Sequence, residues 1–131
     1  MTTKTVGELL EINQRLLTAI SQADWDVYQE LCADDLTCFE PEARGQLVEG
    51  LPFHKFYFDL EADRKHSQNT MASPRVRMLG ADAAVIAYVR LVQRLDAADV
   101  PQTAAIEETR VWQKIDGRWR HVHFHRAPAA H

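Results

Sequence analysis

A chain of 131 residues, 46% of them hydrophobic, is the size of one globular domain that buries about two-thirds of its unfolded surface. The net charge of -4, with acidic and basic residues interspersed, offers no electrostatic footprint for nucleic acid or an anionic membrane. No apolar run reaches membrane-spanning length and the start, MTTKTVGELLEI, has no signal-peptide core, while Cys32 and Cys38 follow no zinc or redox spacing and read as buried thiols of a reducing, cytoplasmic compartment.

From Thr5, the spacing of Leu9, Ile12, Leu16, Leu17 and Ile20 predicts an amphipathic helix, with Thr5 and Glu8 as a capping box. Asp24 is placed to cap a second, shorter helix through Trp25, Tyr28, Leu31 and Cys32, with Ala33-Asp34-Asp35 as its exit. Short β-like segments follow at Leu36 to Glu40 and Gln46 to Glu49. Pro52 suits the first position of a third helix, whose Phe53, Phe56, Tyr57 and Leu60 form a stripe read as core. Glu61 to Asn69 reads as a solvated, mobile loop.

Four strands are then expected at Thr70 to Leu79, Ala83 to Leu95, Thr103 to Ile115 and Arg118 to Arg126, forming an antiparallel meander. Pro74 lacks a ladder donor and belongs at an edge or a bulge. The last turn, Asp116-Gly117, is the dipeptide favoured where both central residues need positive φ. The class is α+β, one domain over 1–131 with ends fraying over about 1–4 and 127–131.

Period-two alternation groups Ile86, Tyr88, Arg90 and Val92 on one strand face, Ile106, Glu108, Arg110 and Trp112 on the next, and Arg120, Val122, Phe124 and Arg126 on the last. Three consecutive strands thus carry an arginine among large apolar side chains. A buried arginine needs a partner. Either Glu107, Glu108 or Glu40 pairs with them internally, or a ligand does. The same alternation sends His121, His123 and His125 out of one face, spread about 7 Å apart per step, too far to converge on one ion; no metal and no cofactor is expected. Cys38 and Glu40 beside a histidine would make a weak nucleophilic lead that no motif signals.

The segments FEPEARGQLVEGLPFHKFYF at Phe39 to Phe58, IAYVRLVQRLDAADVPQTAAIEETRVWQKIDGRW at Ile86 to Trp119 and HVHFHR at His121 to Arg126 resemble the association (hub) domain of calcium/calmodulin-dependent protein kinase II, within the nuclear transport factor 2-like superfamily. With the helical lead-in they span nearly the whole chain. The resemblance implies a cone of N-terminal helices packed in a strongly curved, mostly antiparallel sheet, and a non-catalytic oligomerisation module. It further implies many copies, built from dimers, closing into a ring through the sheet face and short edges. By motif the family's pocket carries over to His54, Arg90, Arg110 and Arg126. The chain has neither a kinase domain nor a calmodulin-target helix, so it is a stand-alone relative or a domain excised from a kinase that it would tether. The family's loop tryptophan near the pocket is absent from Asp59 to Asn69.

Three guanidinium groups exceed what Glu108 alone neutralises, so the cavity is expected to be cationic and to take a small carboxylate. Tyr88, Trp112 and Phe124 would cover its hydrocarbon part, and Arg110→Ala is expected to abolish binding while sparing the fold. The competing class is a small-molecule enzyme of the same superfamily, an isomerase or dehydratase, with His54 or His125 as base.

Overall fold

In the computed structural model, which describes residues 3–60 and 67–129, helix α1 (Thr3–Gln22) buries Leu9, Leu16 and Leu17 together with Asn13. It begins two residues ahead of Thr5, so the Thr5/Glu8 pair lies inside the helix rather than at its start. Asp24 caps α2 (Trp25–Leu31), its Oδ1 accepting from the Val27 N–H at 3.2 Å. The helix stops there. Cys32, and with it Ala33 to Asp35, already belongs to strand β1 (Cys32–Phe39), because β1 pairs in parallel with the last strand from Cys32 onward.

After a 3₁₀ turn at Pro41–Ala43 comes the two-residue strand β2 (Val48–Glu49), and then α3 (Pro52–Phe58) with Pro52 in its first turn. Of the stripe read as core on this helix, only Phe53 packs against the core. Phe56 is 62% exposed, Tyr57 is also exposed, and Leu60 lies beyond the helix end, whereas His54 is buried and Phe53 and Phe58 pack against the core. Periodicity locates an apolar face without saying whether it meets the chain's own core or is left outside it.

Strands β3 (Gln68–Met78), β4 (Ala83–Leu95), β5 (Pro101–Ile115) and β6 (Arg118–Pro128) form the expected antiparallel meander, and the whole sheet runs β2-β1-β6-β5-β4-β3. Pro74 sits both on an edge strand and in a bulge, between Ala72 and Arg75 of β3, with Ser73 at φ 51°. The loop expected over Glu61 to Asn69 lies outside the described residues for 61–66. Gln68 and Asn69 are in β3, and Asn69 donates to the Leu17 carbonyl at 2.9 Å. Asp116 (φ 51°) and Gly117 (φ 78°) both take positive φ in the β5–β6 turn. The ordered elements begin and end within the segments expected to fray: α1 includes Thr3 and Lys4, and Ala129 beyond β6 donates to the Ala105 carbonyl at 3.0 Å. Helices and sheet enclose one core, from Leu9, Leu16 and Leu17 through Tyr28 and Leu36 to Ile86, Trp112 and Phe124.

Candidate functional site

Alternation on β4 and β5 puts Ile86, Tyr88 and Arg90, and Glu108, Arg110 and Trp112, on the covered face, all buried. Cross-strand pairing then sets Tyr88 and Arg126 on either side of Glu108. Glu108 Oε1 accepts from the Tyr88 hydroxyl at 2.7 Å and from Arg110 Nε at 3.1 Å, and Arg110 Nη2 lies 3.1 Å from the same oxygen. Its Oε2 is 3.0 Å from Arg90 Nε, but the two are not aligned as a hydrogen bond, and each is buried without a hydrogen-bond partner. Burial alone would push the Glu108 carboxyl up; Arg110 and Arg90 outweigh it and hold Glu108 below its ordinary range.

Arg110 is wholly enclosed. Its Nε also donates to the Tyr88 hydroxyl at 3.0 Å, its guanidinium stacks 4.5 Å from the Phe124 ring, and Nη1 lies 3.4 Å from His121 Nε2. Burial and the Arg110 charge push His121 well below the usual histidine range, so it is neutral and accepts from Arg110. The Tyr88 hydroxyl takes a further bond from Asn13 Nδ2 at 3.0 Å, and Asn13 Oδ1 accepts from Trp112 Nε1 at 2.9 Å. One polar chain therefore threads the core from α1 to β6.

The other half of the site comes from the end of β1 and the turn after it. Glu40 Oε1 lies 3.2 Å from His54 Nε2, Glu40 Oε2 lies 3.3 Å from Arg126 Nε, and Glu42 pairs with Arg126 Nη2. Burial works to raise the Glu40 carboxyl, but the His54 hydrogen bond and charge, with Arg126, hold it below its ordinary value. Cys38 Sγ approaches the same His54 nitrogen at 3.4 Å, while His54 Nδ1 is buried without a partner. A nucleophilic relay needs the thiol and the carboxylate on opposite ring nitrogens. Burial, reinforced by Glu40, also pushes the Cys38 thiol up to about 12, so it is a neutral S–H and not a nucleophile.

Between these halves lies a cavity of about 190 Å³ whose lining includes Tyr28, His54, Glu40, Arg90, Arg110 and Arg126, with Phe124 as an apolar wall. The four residues taken from the family motif thus face one space. Tyr88 and Glu108 do not line it; they stand behind Arg90 and Arg110. Trp112 is fully buried and also stands behind the wall. Among the described residues the expected excess of positive charge is absent. Three arginines meet three carboxylates, Glu108, Glu40 and Glu42, because the turn after β1 carries Glu40 and Glu42 across to β6, a juxtaposition that alternation along single strands does not reveal. Asn13, Tyr28 and Glu42 were not picked out from the sequence; two carboxylates flanking Pro41 in FEPEAR were the available signal.

The three alternate histidines do not share a face. Trp112 pairs with His121 and Val111 with His123, so Val122 is an extra residue that reverses the alternation. His121 turns inward with Phe124. His123 points the other way, bonded to the Thr37 hydroxyl at 2.8 Å, and Phe39 packs beside His125 with ring centroids 5.5 Å apart. Arg120, expected beside Arg126, lies on the far face and donates to the Cys32 carbonyl at 3.0 Å.

Residues 5–130 match the family model described as the calcium/calmodulin dependent protein kinase II association domain. The delta subunit of calcium/calmodulin-dependent protein kinase type II from Oryctolagus cuniculus is 45% identical over 122 residues, 92% of this chain, and the chain spans only 23% of that relative's length. Among solved structures, the CaMKII hub homology domain of Chlamydamonas reinhardtii is 49% identical with a TM-score of 0.91, covering 96% of this chain and 99% of that one. The association domain of C. elegans CaMKII is 44% identical with a TM-score of 0.90, covering 95% of each chain. A nuclear transport factor 2-like protein from Salmonella enterica, 24% identical with a TM-score of 0.77 over 99% of this chain and 95% of that one, shares the fold alone. With its sequence matched from Thr5 nearly to its end and its cone of helices and curled sheet matched in the solved hubs, the chain belongs to the calcium/calmodulin-dependent protein kinase II association-domain family.

Proposed function

We propose that this chain is a self-assembling hub: copies pair into dimers, the dimers close into a ring, and each cone keeps a cavity for a small carboxylate. The observation that carries the assembly reading is apolar side chains left exposed among the described residues: Phe56, Leu47 at 52% exposed, Leu60 at 49% and Phe39. Exposed large apolar groups offer another protein apolar area to cover. The relatives' descriptions as association and hub domains support a second copy as that protein. A tethered kinase belongs to the same reading, since the rabbit relative is a kinase subunit of which this chain matches a minor part.

The carboxylate reading rests on Arg90. Arg110 and Arg126 hydrogen-bond the protein's own groups, whereas Arg90 lines the cavity with its Nε unbonded and only a misaligned contact to Glu108. A carboxylate beside Arg90 would supply the planar acceptor the site lacks. An isomerase or dehydratase would instead need a free carboxylate or imidazole over the cavity, and Glu40 and Glu108 are both ion-paired and held ionised. Native mass spectrometry should show an even multiple of the 15.0 kDa chain; a monomer at micromolar concentration would exclude the hub. Small carboxylates should raise the melting temperature with concentration, and Arg90→Gln should lose the shift.

A further inference from the structure

We propose that Cys38, Glu40 and His54 form a binding site for one zinc ion per chain. Cys38 and Glu40 are two residues apart as β1 ends, so both side chains fall on one side of the chain, and His54 reaches them from the first turn of α3. Cys38 Sγ is 3.4 Å and Glu40 Oε1 3.2 Å from His54 Nε2, and the three donor atoms all lie within 4.8 Å of one another. Tetrahedral zinc, with a bond of about 2.3 Å to sulfur and about 2.0–2.2 Å to nitrogen and oxygen, sets the sulfur-nitrogen separation at roughly 3.5 Å and the nitrogen-oxygen separation at roughly 3.4 Å. The two separations to His54 Nε2, 3.4 Å and 3.2 Å, are close to those values before any ion enters.

Hydrogen bonding alone accounts for the cluster poorly. The Glu40 carboxylate and the Cys38 thiol, a weak donor and weak acceptor, meet the same ring nitrogen, which can make a good hydrogen bond to only one of them, whereas a divalent cation takes all three donor atoms at once. The mixed sulfur, nitrogen and oxygen set suits zinc and not calcium or magnesium, which take oxygen alone. Binding replaces the Cys38 S–H bond with a sulfur-zinc bond and releases that proton to water, and thiolate and carboxylate together balance the charge of the ion. Packing holds the His54 ring and Arg126 holds Glu40, while His54 Nδ1, which would carry the ring N–H once Nε2 binds the ion, has no partner among the described residues. The His54 ring is packed among Tyr28, Phe53 and Phe124, with centroids 5.6–5.9 Å away, and Arg126 holds the other Glu40 oxygen at 3.3 Å, leaving Oε1 toward the site. Glu40 and His54 line the cavity, so the fourth position is open to water or a small anion from it.

The site shares His54 and Glu40 with the cavity of the carboxylate reading, but the inference depends on neither that reading nor the hub. It is tested on the untagged, assembled protein, stripped with chelator and titrated with zinc chloride by calorimetry. One zinc per chain is expected. Cys38→Ala and Cys38→Ser should weaken binding by more than about 100-fold, beyond what loss of an outer partner does; Arg126→Ala, a positioning residue, should weaken it by about 10–100-fold; Cys32→Ala should leave it unchanged. Cobalt in place of zinc should give a sulfur-to-metal charge-transfer band in the wild type, a readout that holds even where a variant misfolds. Absence of stoichiometric zinc, binding undiminished in folded Cys38 variants, or a cobalt complex without that band would each overturn the site.

Discussion

Glu108 answers two arginines with one carboxylate, Arg110 through Oε1 and Arg90 through Oε2. Removing its charge strands two buried cations, so Glu108→Gln should cost about 3–5 kcal/mol of unfolding free energy. A urea titration showing a loss below about 1 kcal/mol would refute this. Arg110→Ala belongs in the same range, contrary to the expectation that the fold would tolerate it, because the sequence does not show that Arg110 bonds Tyr88, Glu108 and His121 together. Acid should act in two stages. His121 refuses a proton when folded, since burial and Arg110 keep its pKa well below the ordinary 6.5, whereas the unfolded chain accepts one. Stability is therefore lost as pH falls below about 6.5. Glu108 and Glu40, with folded pKa values below their unfolded ones, contribute stability that is present above the ordinary carboxylate range of about 4.3 and disappears as pH falls through the folded values. Urea midpoints should drop between pH 7 and pH 5, and His121→Gln should flatten that drop; identical slopes in the two proteins would count against it.

At the scale of elements, chemistry confined to a few neighbouring residues was readable and chemistry set by pairing across the fold was not. Asp24 was legible as a cap, and Asp24→Ala should cost about 0.5–2 kcal/mol, measured by urea midpoint. The Asp116-Gly117 turn and the β4 and β5 faces were legible because turn φ values and strict alternation are local properties. Val122 was not. Nothing in HVHFHR marks which residue is extra, since the bulge exists only against Trp112 and Val111 on β5, and it reassigns His121, His123 and Arg120 to opposite faces. Likewise the cavity's four family-motif residues were identifiable by resemblance, while Glu42 joins the cavity, and Asn13 the polar chain behind it, only when the turn after β1 and helix α1 fold onto the sheet.

For the whole molecule, the uncovered aromatic of α3 is the cheapest probe of assembly. Phe56→Asp should break the oligomer into smaller species by native mass spectrometry while leaving circular dichroism unchanged, because the side chain is mostly exposed and its ring contact within the chain is with the likewise exposed Tyr57. An unaltered oligomer mass would remove Phe56 from the contact. The margins of the sheet bear on how copies in the proposed ring would stop adding. One margin is β3, its ladder interrupted at Ser73 and Pro74, and the other is the two residues of β2. Neither offers a neighbour an unbroken row of backbone groups on which to lay a strand. Recruitment by ladder extension, which repeats indefinitely as in a fibril, is thereby discouraged. Docking through shaped side-chain surfaces fixes the angle between one copy and the next, and a fixed angle is what allows a succession of identical subunits to return to its first member and be finished.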